Sequence, residues 1–270
     1  MVLSMPLFKA AMLMNAAPLT PPNASASPKS TTTPSSSTPT NIPMANLPFG
    51  SVITTCTEPN TMALTFDDGP SKFSTTLLQK LKENDIKATF FITGLNGDNG
   101  VEGGSVDAKA LLPQIMQEGH QIASHTFSHP SLDTLSQDKI QEEMVKLDND
   151  LIKFMGKAPT FMRPPFYASN DVVMKAMKKM QYLVVTSDLD TNDWNFTTPE
   201  NNFNALDNLK KGIDKKGTII LMHEIHDTSV NMLLPAAIPL LKKTGKKLVT
   251  VGECLKIPKE QWYREKSVVA

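Results

Sequence analysis

The 270-residue chain reads as an α/β protein, an irregular (β/α) barrel of about seven parallel strands. Two observations predict this class. Short, wholly apolar runs alternate with amphipathic stretches, as strands buried on both faces alternate with covering helices. Polar clusters then recur just beyond the ends of successive runs, where the loops at the C-terminal rim of a parallel barrel carry a site. The length suffices for one sizeable core.

Residues 1–45 do not join that core. From 20 to 40 the chain is dominated by Ser, Thr and Pro, with almost nothing apolar to bury, and reads as a disordered or glycosylated leader. Residues 1–17 are apolar but broken by Pro6 and Lys9, so they read either as a weak secretory segment or as an unstructured start. The folded domain is expected over 46–258, with 259–270 as a C-terminal tail. Within it the runs 62–66, 87–93, 121–124, 160–162, 182–187, 217–222 and 248–251 predict strands. The stretches 75–84, 108–118, 138–155, 171–180, 201–214 and 232–243 predict helices between them. Ser136 is a good N-cap for the third helix, with Asp138 in its first turn. The loop 94–107, rich in Gly and Asn, is the one most able to shape a groove. No internal repeat is visible beyond the alternation.

Composition narrows the partners. Lys+Arg and Asp+Glu are both 27, so there is no basic field to attract nucleic acid, and a neutral polymer such as a glycan is compatible. No apolar run approaches the length of a transmembrane segment. Cys56 and Cys254 stand before the first strand and after the last. A closed barrel brings those ends together, which favours a disulfide and an oxidising compartment; the alternative is two buried free thiols. Asn23-Ala24-Ser25 and Asn195-Phe196-Thr197 fit the glycosylation pattern.

The chemistry begins at Thr65-Phe66-Asp67-Asp68-Gly69-Pro70, where two adjacent carboxylates sit on a turn directly after the first strand. Such a pair points to metal or acid–base chemistry, or else to an Asp-rich turn capping the next helix. His125 and His129 are spaced i and i+4, as on one face of a helical turn, and suit two nitrogen ligands on one ion. A carboxylate with two imidazoles is a facial ligand set that leaves positions open. Arg163-Pro164-Pro165-Phe166, Asp190-Thr191-Asn192-Asp193-Trp194 and Leu221-Met222-His223 follow three further strands. Singly each has an ordinary reading as a surface ion pair, a solvated turn or a core imidazole. Jointly they place five polar clusters at one end of successive strands.

With those five segments in this order, the chain resembles polysaccharide deacetylases with the NodB homology domain (carbohydrate esterase family four), and among them the fungal chitin deacetylases. The motifs that carry the resemblance are TFDDGP at 65–70, HTFSH at 125–129, RPPF at 163–166, DTNDW at 190–194 and LMH at 221–223, within a match running from about 47 to 255. One departure is Tyr167, where such proteins often carry Gly, which puts substrate-groove detail in doubt rather than the chemistry. The resemblance implies Asp68, His125 and His129 as ligands of Zn²⁺, a set that also accommodates Co²⁺, Ni²⁺ or Mn²⁺. It implies Asp67 as general base held ionised by Arg163, His223 as general acid held by Asp193, the Phe166 N–H as oxyanion donor, and Leu221 and Trp194 as walls of an acetyl pocket. The implied activity is removal of N-acetyl groups from chitin or chitin oligosaccharides by a monomer that is secreted or associated with the cell wall. Peptidoglycan deacetylation, acetylxylan esterase activity and catalytically silent chitin binding are the alternatives.

Overall fold

A computed structural model of the protein describes residues 47–269; the expected leader and the Asn23 pattern lie outside the described residues. The strands are β1 (Val52–Ile53), β2 (Thr61–Asp67), β3 (Thr89–Ile92), β4 (Gln121–Ser124), β5 (Ala158–Pro159), β6 (Phe161–Met162), β7 (Leu183–Val185), β8 (Leu189–Asp190), β9 (Ile219–His223), β10 (Lys247–Val249) and β11 (Tyr263–Arg264). The helices are α1 (Ser74–Glu83), α2 (Ala108–Gln117), α3 (Gln137–Met155), α4 (Asp171–Lys179), α5 (Phe203–Asp214), α6 (Leu234–Lys243) and α7 (Val251–Cys254).

Nine strands form one sheet in the order β1-β7-β6-β4-β3-β2-β9-β8, with β10 also on β2, and every ladder in it is parallel. All seven apolar runs expected to be strands are in it. The two-residue β1 and β8 add its ends, which share no ladder, so the sheet curls into a half-barrel.

Alternation along β2 sorts the layers. Met62, Leu64 and Phe66 face outward and pack with Leu77, Leu78 and Leu81 of α1. Ala63 faces inward to a cluster with Phe91, Ala123, Phe161, Leu183, Val185 and Ile219. The same period puts Thr65 and Asp67 on the inner face, nearer the rim. Apolar packing therefore fills the base of the concavity and polar groups occupy its mouth. Among the covering helices, α3 starts as expected: the Ser136 side chain accepts the Lys139 N–H at 3.4 Å, and Gly156 closes the helix at φ 79°.

The base is closed by the chain after β10, and here two expectations are corrected. The strand expected over 248–251 stops at Val249, because Thr250 and Glu253 form a capping box that starts α7. Residues 259–269 are not a free tail. Trp262 is buried with the inner cluster, its Nε1–H donates to the Ile257 carbonyl at 2.8 Å, and its indole occupies the space a Cβ on Gly252 would need. Tyr263 and Arg264 pair antiparallel with β5, while Arg264 and Ser267 reach the buried Asp148 carboxylate at 3.1 and 2.7 Å. A large aromatic surface is costly to leave wet, and the open base of the sheet takes it up.

Cys56 and Cys254 form a disulfide across 198 residues of sequence, flanked by the Thr57 and Glu58 N–H groups, which donate to the Cys254 carbonyl at 2.9 and 2.8 Å. No helix among the described residues is long and apolar enough to cross a membrane. Because Trp262 seals the inner cluster, Trp262→Ala is expected to cost about 3–5 kcal/mol of unfolding free energy in urea titration. A loss below about 1 kcal/mol would show that the segment does not belong to the core.

Candidate active site

Parallel strands point their C-terminal ends the same way, so residues that follow them meet on one rim. Asp67 ends β2 and is in register with His223, which ends β9. His125 follows β4, Arg163 follows β6, and Asp193 lies three residues beyond β8. These ends surround a cleft of about 370 Å³ lined by Asp67, Asp68, His125, His129, Phe166, Trp194, Leu221 and His223, together with Pro164, Tyr167 and Asp190. Arg163 and Asp193 lie directly behind it, with no solvent exposure. All ten residues singled out in the sequence are thereby brought together. Asp68, Thr126, His129, Phe166, Tyr167 and Asn192 all have left-handed backbone, a conformation that persists only where the surroundings over-determine it.

Arg163 organises the rim. Its Nη1 donates to Asp67 Oδ1 at 2.7 Å and to Thr65 Oγ1 at 2.8 Å, Nε donates to the Val185 carbonyl at 3.2 Å, and Nη2 to the Thr186 carbonyl at 3.0 Å. Its guanidinium stacks 4.0 Å over the Phe91 ring. The buried cation makes four hydrogen bonds from its five N–H donors, and the pair with Asp67 uses Oδ1, while Oδ2 lies 3.7 Å from His125 Nε2.

Asp68 faces the imidazoles. Its Oδ1 lies 3.1 Å from His129 Nε2 and 3.5 Å from His125 Nε2. The two histidines converge from a loop and not from a helical turn as their spacing suggested: Thr126 at φ 70° and His129 at φ 56° break any helix. The loop is held from α3, where Glu143 accepts the Ser128 N–H and hydroxyl, both at 2.7 Å. The Arg163 carbonyl can only accept, so His125 donates through Nδ1 at 2.7 Å and turns the Nε2 lone pair to the cleft. Burial pulls the His125 pKa below its ordinary value despite Asp67 and Asp68, which favours the neutral ring a ligand needs.

These residues fit a divalent metal. One ligand atom from each of Asp68, His125 and His129 lies within 4.8 Å of the others. Asp68 Oδ1 is buried with no hydrogen bond, an orphaned acceptor that an ion would satisfy. Burial alone would raise the Asp68 carboxyl, but His129, His125 and His223 outweigh it and hold it well below the usual carboxylate range.

Across the cleft, Asp193 accepts His223 Nδ1–H at 2.7 Å, the His223 backbone N–H at 2.7 Å and the Ser229 hydroxyl at 2.5 Å. Burial lowers the His223 pKa, yet the charge and hydrogen bond of Asp193, helped by Asp67 and Asp68, lift it to about 9. Asp193 therefore favours the protonated ring. Leu221 is 5% exposed, whereas Phe166 and Trp194, at 72% and 53%, stand at the mouth. Tyr167 fills the wall where Gly would leave space, and its hydroxyl bonds Ser187 Oγ at 2.6 Å. Asn195 of the second glycosylation pattern is exposed beside Trp194.

Sequence reasoning missed Glu224, which has no exposure and which burial pushes up to about 8, against the Ser74 hydroxyl bond and with Asp68 and Asp67 reinforcing it. A Glu directly after a rim His reads as solvated, and only the fold puts Gly69 and Ser74 against it.

Comparison with known proteins gives the family of the chain. Residues 54–185 match the polysaccharide deacetylase family model. A chitin deacetylase of Arthroderma benhamiae is 40% identical over 219 residues, 81% of this chain and 58% of the relative. A probable peptidoglycan-N-acetylglucosamine deacetylase of the same fungus is 38% identical over 82% of this chain and 50% of its own length. The chain thus spans about half the length of these two relatives. The structure of the chitin deacetylase of Colletotrichum lindemuthianum superposes with a TM-score of 0.77 at 33% identity, covering 81% of this chain and 97% of that one. The chain belongs to the polysaccharide deacetylase family. Asp68→Ala is expected to weaken Zn²⁺ binding about 100-fold or more in calorimetric titration, beyond what loss of an outer partner costs. Asp193→Asn should leave that affinity within about threefold; equal losses in the two variants would remove Asp68 from the ligand set.

Proposed function

We propose that the protein is a metal-dependent polysaccharide N-deacetylase that removes acetyl groups from N-acetylglucosamine units of chitin or its oligomers, releasing acetate and leaving glucosamine units. The observation that carries this reading is the division of labour on the rim. Asp67 is tied to Arg163, Asp68 faces two imidazoles, and His223, held through Nδ1 by Asp193, stands in register with Asp67.

Zn²⁺ suits two imidazoles and a carboxylate, and Asp68, His125 and His129 would hold it. When bound, such an ion lowers the pKa of a water from about 15.7 toward about 7 and polarises a carbonyl. Asp67, paired with Arg163 through Oδ1, takes the proton of the attacking water through Oδ2. The C–O bond forms and the carbonyl oxygen becomes negative, with the Phe166 N–H as donor to it, a contact worth about 3–4 kcal/mol. His223, fixed through Nδ1 by Asp193, gives its proton to the leaving nitrogen as the C–N bond breaks. Leu221 and Trp194 wall the space for the acetyl methyl, and the exposed Phe166 and Trp194 rings offer flat faces to a pyranose chain.

A secreted or cell-wall location belongs to the same reading, since the Cys56–Cys254 bridge needs an oxidising compartment. The relative named for peptidoglycan supports that glycan as the second reading. Acetate release from chitin oligomers, peptidoglycan and acetylated xylan separates the readings, with chitin oligomers expected to be fastest. Activity surviving complete removal of metal by a strong chelator would overturn the mechanism. Asp67→Asn should bind Zn²⁺ normally and lose about 10²–10⁴ in kcat; near-normal turnover would refute the base. Because protonated His223 is the donor, the rate should fall as pH rises through about 9. Asp193→Asn removes the charge that raises this pKa, so the falling limb should move to lower pH, toward the ordinary 6.5. A limb unmoved in that variant would exclude His223 as the acid.

A further inference from the structure

Glu224 takes no part in the steps above, yet it is the residue next to His223 and its side chain is wholly buried. Its Oε2 accepts the Ser74 hydroxyl at the start of α1, while Oε1 is buried without a hydrogen bond. The carboxyl rests on the backbone of Gly69, where an added Cβ would come within 1.7 Å of Oε1 and 2.1 Å of Cδ. Gly69 does not have positive φ, so close approach of this carboxyl is what demands glycine there. Backbone contacts run through the same point. The Glu224 N–H donates to the Asp67 carbonyl at 3.3 Å, the Ser71 hydroxyl to the Glu224 carbonyl at 2.9 Å, and the Ser71 N–H to Ser74 Oγ at 2.8 Å.

An apolar side chain of this volume would fill the space without the cost of burying a carboxyl. What the carboxyl adds is a directional acceptor of fixed reach between three pieces: the turn after β2, the N-terminus of α1 and the end of β9. We propose that Glu224 is a positioning residue of the site, a spacer seated on Gly69 and tied to Ser74 that holds the Asp67–Asp68 turn in register with His223. The role depends on shape and on accepting one hydrogen bond. This inference rests on the deacetylase reading.

Glu224→Asp and Glu224→Gln separate reach from acidity. Asp keeps the acid but withdraws it by one methylene; Gln keeps the reach and an acceptor oxygen. On chitin oligomers at saturating Zn²⁺, Glu224→Asp should lower kcat about 10–100-fold with KM within about twofold, and Glu224→Gln should stay within about threefold of wild type. Zn²⁺ affinity by calorimetry should fall about tenfold in Glu224→Asp, because Asp68 stands in the displaced turn. The proposal is overturned if Glu224→Asp matches wild type in kcat and in Zn²⁺ affinity, or if Glu224→Gln is the more damaging of the two. Should Glu224→Asp fail to fold, Ser74→Ala decides: an unchanged kcat sinks the proposal, and a drop of about tenfold at unchanged KM supports it. A wild-type protein that releases no acetate from any glycan would refute the deacetylase reading instead, and the Zn²⁺ titrations would still test Glu224.

Discussion

A guanidinium sealed from water inside a curled parallel sheet is the constraint around which this site is built. Arg163 cannot lose its proton, so it must be surrounded by acceptors, and those acceptors come from β2, from β7 and from the residue after β7. Its own carbonyl adds a fifth tie, to His125 Nδ1. One residue thereby pairs with the Asp67 carboxylate, fixes which nitrogen of a candidate ligand faces the cleft, and pins strand ends together. Removing such a cation would leave a buried carboxylate unpaired, which is why the arrangement behaves as a unit.

Around that unit the molecule places four carboxyl groups in four environments. Asp67 is paired with a cation, Asp68 with two imidazoles, Asp193 with an imidazole and a hydroxyl, and Glu224 with a single hydroxyl. Identical chemistry becomes different function because partners and burial differ, not because the side chains do. The left-handed residues that cluster at the rim follow from the same crowding. Bringing this many polar groups to one point over-determines the backbone between them, and the core below supplies the rigidity.

The walls are less constrained than the floor. Phe166 and Trp194 project into solvent, and Tyr167 fills the place where a glycine would leave room. Exposed residues at the mouth of a cleft can vary with little cost to the core beneath them.

The long apolar runs and the carboxylate, imidazole and guanidinium motifs were legible in the chain alone, because a strand buried on both faces must be apolar and a site on a parallel rim must follow strand ends. The candidate residues those motifs name share one rim in the fold. Four of the five two-residue strands, β1, β5, β8 and β11, were not legible, since so short a run carries no period; β6 was, because it lies in the apolar run 160–162. Nor was the looped path from His125 to His129, the seating of Trp262 in the base, or the burial of Glu224. Each depends on neighbours remote in sequence: α3 for the loop, Gly252 for the indole, Gly69 and Ser74 for the carboxyl. Sequence determines which groups are available along each strand and loop; which of them lose water, and against whom, is decided when the sheet curls.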